Sequence, residues 1–382
     1  MKFSKKYIQK LTNKKLHIVA LDVPFPVDYG GAIDMFYRIK ALHELGIELT
    51  LHVFEYGRGQ QAELEKYGTV HYYKRSRSIL HVFSKRPFIV QSRLSKELTD
   101  NLLKDEAPIL MEGLHTSGIL EHHELAKRVT MVRMHNIEHE YYCELAKNAS
   151  FLKRLFFLLE ARKLEHYTSI LKQTKAVLAI KESDRCYFEK INLSSYLLPA
   201  FFAFPQFKMN ATEPFALFHG NLSVPENERA AIWLIKTLSK ELSASFPLII
   251  AGKNPSGSLI QFCNKEHVQL VANPSESELQ SLQERAQIHV FYSEAPSGIK
   301  LKLMNVLGTN GHVICNSNML GFEGLEKFCN VENEAENFAK RFLVLKEKTL
   351  SNAEYDDRKS FITEHFNTKL QCETIMKLIN EK

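Results

Sequence analysis

The sequence predicts an α/β protein built from two Rossmann-like domains. Three observations carry that expectation. The chain has 382 residues, long for one core and enough for two of roughly 150–200 residues each. Short apolar runs of strand length alternate with amphipathic helical stretches. The alternation lapses over residues 199–214, which have little helical or strand pattern, and then begins again. The expected division is residues 1–200, residues 212–350 and a helical tail, 351–382.

The first run, Leu16 to Leu21, reads as a strand. A loop with two prolines and the pair Gly30–Gly31 follows. Residues 32–45 then place Ile33, Phe36, Ile39 and Leu42 on one helical face. Gly46 ends that helix and Glu48 to Phe54 returns as a strand, a βαβ unit with a right-handed crossover. The two glycines fall at the C-terminal end of a strand, where open α/β sheets bind ligands. They do not form the GxGxxG fingerprint of nicotinamide cofactors. Ile109 to Met111 and Val129 to Met134 are further strands. Just past their ends lie His115 and the run His135-Asn136-Ile137-Glu138. A lone histidine is more often structural than functional, but two at adjacent strand tips mark candidate site residues. Val177 to Ile180 is the next strand.

Two segments of the first half mix apolar and basic residues. Residues 74–87, KRSRSILHVFSKRP, read either as a connecting loop with solvated arginines or as a membrane-facing segment. Residues 151–173 read as a packed helix with a basic face that can also meet a membrane. Residues 1–200 carry 31 Lys and Arg against 23 Asp and Glu, while the remainder carries 19 against 21. The basic half suits an anionic partner such as a phospholipid surface or lipid phosphate; ordinary solubility charge accounts for it equally. No nucleic-acid module is recognised, so nucleic acid is not an expected partner.

In the second half, Phe215 to Phe218 is a strand ending in Gly220–Asn221, and Pro225 starts a helix. Leu248 to Ala251 ends in Gly252–Lys253. Val268 to Val271 and Ile288 to Tyr292 are strands, with a helix from Leu279 to Arg285 between them. The stretch from Ser293 to Asn316 is the one the chain is organised around. Ser297 and Gly298 read as a helix start, Leu303, Val306 and Leu307 recur at helical spacing, and His312 to Cys315 is a buried strand. Free amides at that helix start, with Lys300 and Lys302 beside it, form an anion site in principle; a surface helix with two solvated lysines is the alternative.

Composition excludes several classes. At 45% hydrophobic and 25% charged residues the chain reads as an ordinary soluble globular protein. No apolar run reaches about 18 residues, and the basic N-terminus lacks an apolar signal core. The six cysteines are scattered without a CxxC pair, which argues against a zinc site or a disulfide framework and fits a reducing cytoplasm.

The motifs together resemble the family 4 retaining glycosyltransferases of the GT-B fold. Gly298, Lys300, Leu301–Lys302, Gly311 and Val313–Ile314 match the family's donor-site segment; PFPVDYGG resembles its first loop, and RMHNIEHEYY a segment common in its members. The match departs at three places. Asn305 stands where the family has a glutamate that holds ribose hydroxyls, and Ser297 stands at the earlier acidic position. GNLSVPENE, residues 220–228, lacks the Arg and Lys that the family carries after the first strand of the second domain, none standing before Arg229. The resemblance implies two domains across a cleft, with the C-terminal helix returning to the first. It implies transfer of a hexose from a nucleotide-sugar donor to a glycan or lipid-linked acceptor, in polysaccharide biosynthesis, with no metal and no cofactor. A nucleotide-sugar epimerase and a non-catalytic binding protein are the alternatives. On this reading Gly30, Gly31, Gly220, Asn221, Lys253, the amides of Ser297, Gly298 and Ile299, Lys300, Lys302 and Asn305 bind the donor. His115 and His135 contact the sugar or acceptor hydroxyl, with Asn136 and Glu138 beside them. The expected location is cytoplasmic, with peripheral contact at an anionic membrane face.

Overall fold

The computed structural model describes residues 14–147, 149–204, 207–294 and 300–381. The chain forms two compact units. The first comprises residues 1–202 and 366–382, the second residues 203–365.

The first unit is a seven-stranded parallel sheet of β1 (Lys15–Ala20), β2 (Glu48–Glu55), β3 (Thr69–Lys74), β4 (Ile109–Glu112), β5 (Thr130–Met134), β6 (Ala176–Ala179) and β7 (Ser195–Leu197). Their spatial order is β3-β2-β1-β4-β5-β6-β7. The central strands are buried along nearly their whole length, as expected for a sheet covered on both faces. The helix Gly30–Glu44 covers one side, turning Met35, Phe36, Ile39 and Leu42 into the core. The C-terminal helix Thr368–Asn380 joins the same cluster through Cys372, Ile375, Met376 and Ile379. Each such side chain, fully buried, contributes about 1.5–3 kcal/mol.

The second unit is a six-stranded parallel sheet of β8 (Glu213–Asn221), β9 (Leu248–Lys253), β10 (Gln269–Ala272), β11 (Ala286–Phe291), β12 (His312–Cys315) and β13 (Asn330–Val331), in the order β10-β9-β8-β11-β12-β13. The helix Asn352–His365 belongs to this unit, so only the last helix of the tail, Thr368–Asn380, lies with the first. The divide is set by Phe366, which is buried in the first unit and packs its ring 5.5 Å from that of Phe202.

In both sheets the strand order reverses beside the first strand, between β1 and β4 and between β8 and β11. Crossovers there leave on opposite faces, which opens a crevice at the carboxyl ends of those strands.

One sequence reading changes here. The helix Phe151–Tyr167 is not packed through the side chains expected. Phe151, Leu155, Leu158 and Leu159 are exposed, and the helix buries Glu160, Ala161 and Leu164 instead. The segment after β3 forms a 3-10 turn, Ile79–Phe83, with its apolar side chains outward. The helix of the organising stretch runs Leu301–Leu307; its expected start at Ser297, with Gly298 and Ile299, lies outside the described residues.

Candidate functional site

Beneath the crevice of the first unit lies a buried ion-pair network. Asp34 and Arg38 sit one turn apart on the helix Gly30–Glu44, and Glu112 and Arg133 project from β4 and β5. Arg133 grips Asp34 with two bonds, Nη2 to Oδ1 at 2.9 Å and Nε to Oδ2 at 3.1 Å. Arg38 reaches Asp34 Oδ2 at 2.6 Å and also bonds Glu112. His135 Nε2 lies 3.0 Å from the other Glu112 oxygen, and the Phe201 amide donates to Asp34 Oδ1 at 2.8 Å. Burial alone would raise the Asp34 carboxyl, but Arg133 and Arg38 hold it well below the usual carboxylate range. Ligating atoms of Asp34, Glu112 and His135 lie within 4.8 Å of one another. Both Asp34 oxygens and one Glu112 oxygen are already taken by two guanidiniums, and the other Glu112 oxygen faces His135, so the group fits an ion-pair network rather than a cation. His135, expected at the reacting centre, is thus tied into this network.

His115 and Glu138 meet above it. Glu138 opens the helix Glu138–Lys147, and its Oε1 lies 4.0 Å from His115 Nδ1. That nitrogen is buried without a hydrogen-bond partner. The close approach depends on Gly113, whose φ of +66° favours glycine and where a Cβ would fall 2.7 Å from the same nitrogen. Burial pushes the Glu138 carboxyl up to about 8, against a weaker opposing pull from Arg93. Burial, then the charges of Arg93, His135 and Arg75, holds His115 well below its usual value. Near neutral pH the pair is therefore neutral, an acid and an imidazole facing each other unbonded. Asn136 is half-buried between them in sequence. Gly30 and Gly31 begin the helix that follows β1.

Arg93 and Arg75 act on this pair, and Arg77 joins Arg75 at the ring of Tyr56. Arg93 is 6% exposed and donates to the carbonyls of Leu21 and Ile89, both at 2.8 Å. Arg75 lies 4.4 Å over the Tyr56 ring and Arg77 lies 4.7 Å over it. Among the described residues none of the three has a carboxylate within ion-pair distance. Burial, and then Arg75, lowers Arg93 to about 9. The sequence reading singled out the segment that holds Arg75 and Arg77 but not Arg93, which comes from a segment with no motif.

In the second unit the crevice holds Gly220, Asn221, Asn227, Glu226, Lys300 and Lys302. Gly220 and Gly252 end the paired strands β8 and β9; a Cβ on Gly252 would fall 1.9 Å from the Gly220 carbonyl oxygen, so the two backbones touch. Asn227, in the first turn of the helix Pro225–Leu238, donates to the Asn221 carbonyl at 2.9 Å. Lys302 donates to Asn227 Oδ1 at 3.1 Å, its ammonium 5.1 Å from the Phe218 ring centroid and 5.6 Å from that of Phe291. Burial, with Lys300 nearby, lowers it to about 8, against the pull of Glu226. Lys300 lies 3.5 Å from Glu226, which also accepts from the Ser293 hydroxyl at 2.5 Å. The Trp233 ring, stacked 4.1 Å from that of Tyr292, fixes the chain where it leaves β11. Lys253 and Asn305 are exposed at this end of the unit and on the helix Leu301–Leu307. Of the expected donor residues, the structure thus brings together Gly220, Asn221, Lys300 and Lys302. It adds Asn227 and Glu226, which the sequence reading had seen only as a helix start.

No protein-family model matches the chain. A Klebsiella pneumoniae relative, described as an uncharacterized 44.6 kDa protein in cps region, is 26% identical over 330 residues, covering 81% of this chain and 84% of that one. Among solved structures, the UDP-forming trehalose-phosphate synthase of Burkholderia xenovorans is similar with a TM-score of 0.63 and 12% identity, over 96% of this chain and 99% of its own. A variant of S. aureus TarM, in complex with fondaparinux, α-GlcNAc-glycerol and UDP, is similar with a TM-score of 0.66 and 12% identity, over 96% of this chain and 100% of its own. These are GT-B glycosyltransferases, and with two parallel Rossmann-like sheets in the same chain the fold of this protein is GT-B.

Proposed function

We propose that the protein is a retaining, metal-independent hexosyltransferase that moves a sugar from a nucleotide-sugar donor to a glycan or lipid-linked acceptor. The observation that carries this reading is Lys302. A half-buried ammonium with one neutral hydrogen-bond partner stands at the carboxyl-end crevice of the second sheet, where an open α/β fold binds its ligand. A departing diphosphate gathers negative charge, and a cation already in place stabilises that charge without reorganising. Lys300 adds a smaller share of positive field, because Glu226 at 3.5 Å offsets part of its charge.

The acceptor belongs at the crevice of the first unit. There the unpaired guanidiniums of Arg75, Arg77 and Arg93 favour an acceptor carrying phosphate, as a lipid-linked sugar does. His115 and the neutral Glu138 are placed to take hydrogen bonds from sugar hydroxyls. The setting is polysaccharide biosynthesis, and the protein works in the cytoplasm.

The test is a screen of common nucleotide sugars for release of nucleoside diphosphate with a chelator present, followed by NMR of the product's anomeric centre. Release that persists under chelation, with a new glycoside of unchanged anomeric configuration, supports the proposal. An isomerised donor instead assigns the chain to epimerases, and no binding of any nucleotide sugar makes it a non-catalytic protein of this fold.

A further inference from the structure

The helix Phe151–Tyr167 is apolar on two sides. One side faces the protein through Ala161 and Leu164. The other faces water. On a helix that turns about 100° per residue, Phe151, Leu152, Leu155, Leu158 and Leu159 fall within an arc of roughly 120°, opposite the buried face. Phe151 and Leu152 are 81% and 77% exposed, and the three leucines after them 41–51%. Large apolar side chains this exposed, in one stripe, mark a surface that is covered in use.

The 3-10 turn Ile79–Phe83 extends it. Ile79, Leu80 and Phe83 are 77%, 71% and 84% exposed. The turn is held to the helix by Lys163, which donates to the Val82 carbonyl at 2.7 Å, and the chain just after the turn by Glu160, which accepts from the Phe88 amide at 2.5 Å. A hollow of about 310 Å³ opens beside the stripe, between it and the helix Glu138–Lys147; Leu155, Leu158, Leu159 and Cys143 line it, together with Arg162 and Glu165.

Charge decides what covers this surface. Arg154 borders the apolar arc, Arg162 lies inside it, and Lys153 and Lys85 stand close in sequence. Among the described residues none of these four has a carboxylate partner in an ion pair. A second copy of the chain would set these cations against themselves. A bilayer with anionic headgroups accepts both features at once, apolar side chains entering the acyl boundary and basic ones pairing at headgroup level.

We infer that the helix Phe151–Tyr167 and the turn Ile79–Phe83 form a peripheral docking surface for an anionic lipid bilayer. The exposed side chains enter the interface, and the hollow takes part of a lipid chain.

Vesicle flotation tests this and needs neither donor nor acceptor, so its outcome is separate from that of the transfer assay. Phosphatidylcholine vesicles carrying phosphatidylglycerol should float the full protein at low salt, and pure phosphatidylcholine vesicles should do so far less. Leu152→Glu with Phe83→Glu should lower partitioning by about tenfold or more, with an unchanged circular dichroism spectrum and melting temperature because both sites are exposed. Arg154→Gln with Arg162→Gln should weaken binding to the anionic vesicles and flatten its salt dependence. The inference is overturned if the parent does not float at low salt, or if the glutamate variant floats as well as the parent. It is also overturned if the parent is a dimer that Leu152→Glu separates, which would assign the surface to a second copy.

Discussion

Lys302 donates to Asn227 Oδ1 at 3.1 Å, so the ammonium is held by a neutral side chain while its neighbour Lys300 pairs with Glu226 at 3.5 Å. Two lysines two positions apart therefore carry different loads. Lys302→Ala should weaken binding of nucleoside diphosphates, read by calorimetry over a panel of them, by about 1.5–3 kcal/mol, the worth of a charged hydrogen bond. Lys300→Ala should cost less, because part of that charge is already spent on Glu226. Equal, undiminished affinity in both variants would remove the donor assignment from this helix.

The same lysine sets a pH dependence. Burial and Lys300 lower it to about 8, so the cation is present below that pH and lost as pH rises through it. Diphosphate affinity should fall above about pH 8 in the parent. Lys302→Arg, which stays charged, should remove most of that fall. Parallel pH profiles for parent and arginine variant would contradict this.

Glu138 gives a stability signature. Its folded-state value, about 8, lies above that of a carboxyl in the unfolded chain, so the folded protein binds the extra proton. That stability is fully present below the unfolded value, near pH 4.5, and is lost as pH rises through about 8. Melting temperature should therefore decline across this window, by an amount equivalent to a few kcal/mol. Glu138→Gln, neutral at every pH, should decline distinctly less. A variant that tracks the parent would show that the carboxyl is ionised in the folded protein.

The Asp34–Arg133 pair tests the scaffold below. Removing one member of a fully buried pair strands the other charge, at about 3–5 kcal/mol. Asp34→Asn should lower stability to urea by that order, with donor binding in the second unit unchanged. A loss of under about 1 kcal/mol would mean that the network relaxes around the change.

How much of this was legible follows from which forces write themselves into local sequence. Strands such as Ile109–Glu112 and helices such as Gly30–Glu44 are visible because burial imposes a period. The crevice of the second unit left a mark because Gly220 and Gly252 pair at the ends of their strands, whereas in the first unit Gly30 and Gly31 begin the helix that follows β1. The ion-pair network was not read, although it left a trace. Arg133 interrupts an otherwise apolar strand, and Asp34 and Arg38 lie on the buried side of an amphipathic helix. A charge in such a place demands a partner, but the sequence does not say that the partner of Arg133 lies 99 residues away. Arg93 was missed for the same reason. The exposed stripe at Phe151–Leu159 was misplaced because apolar periodicity shows that a face exists, not which of two faces the core takes. Glu160, polar and buried against the Phe88 amide, decided it.

Asn305 bears on whether the site is tuned down from its family likeness. It is exposed on the helix Leu301–Leu307, three positions after Lys302, and so lies near it on the helix surface. The family that the sequence resembles carries a glutamate there, whose carboxylate holds ribose hydroxyls. A neutral amide can make those contacts but without the strength of an ionised acceptor. Asn305→Glu should therefore tighten nucleotide-sugar binding by about 1 kcal/mol, roughly fivefold, the difference between neutral and charged hydrogen bonds. The same carboxylate adds negative charge near the proposed diphosphate site, so pyrophosphate, which has no ribose, should bind no better or slightly worse. Calorimetry with a nucleotide sugar and with pyrophosphate separates the two effects. A gain for both ligands would mean that the substitution acts on the helix and not on a ribose, and a gain for neither would place the ribose elsewhere.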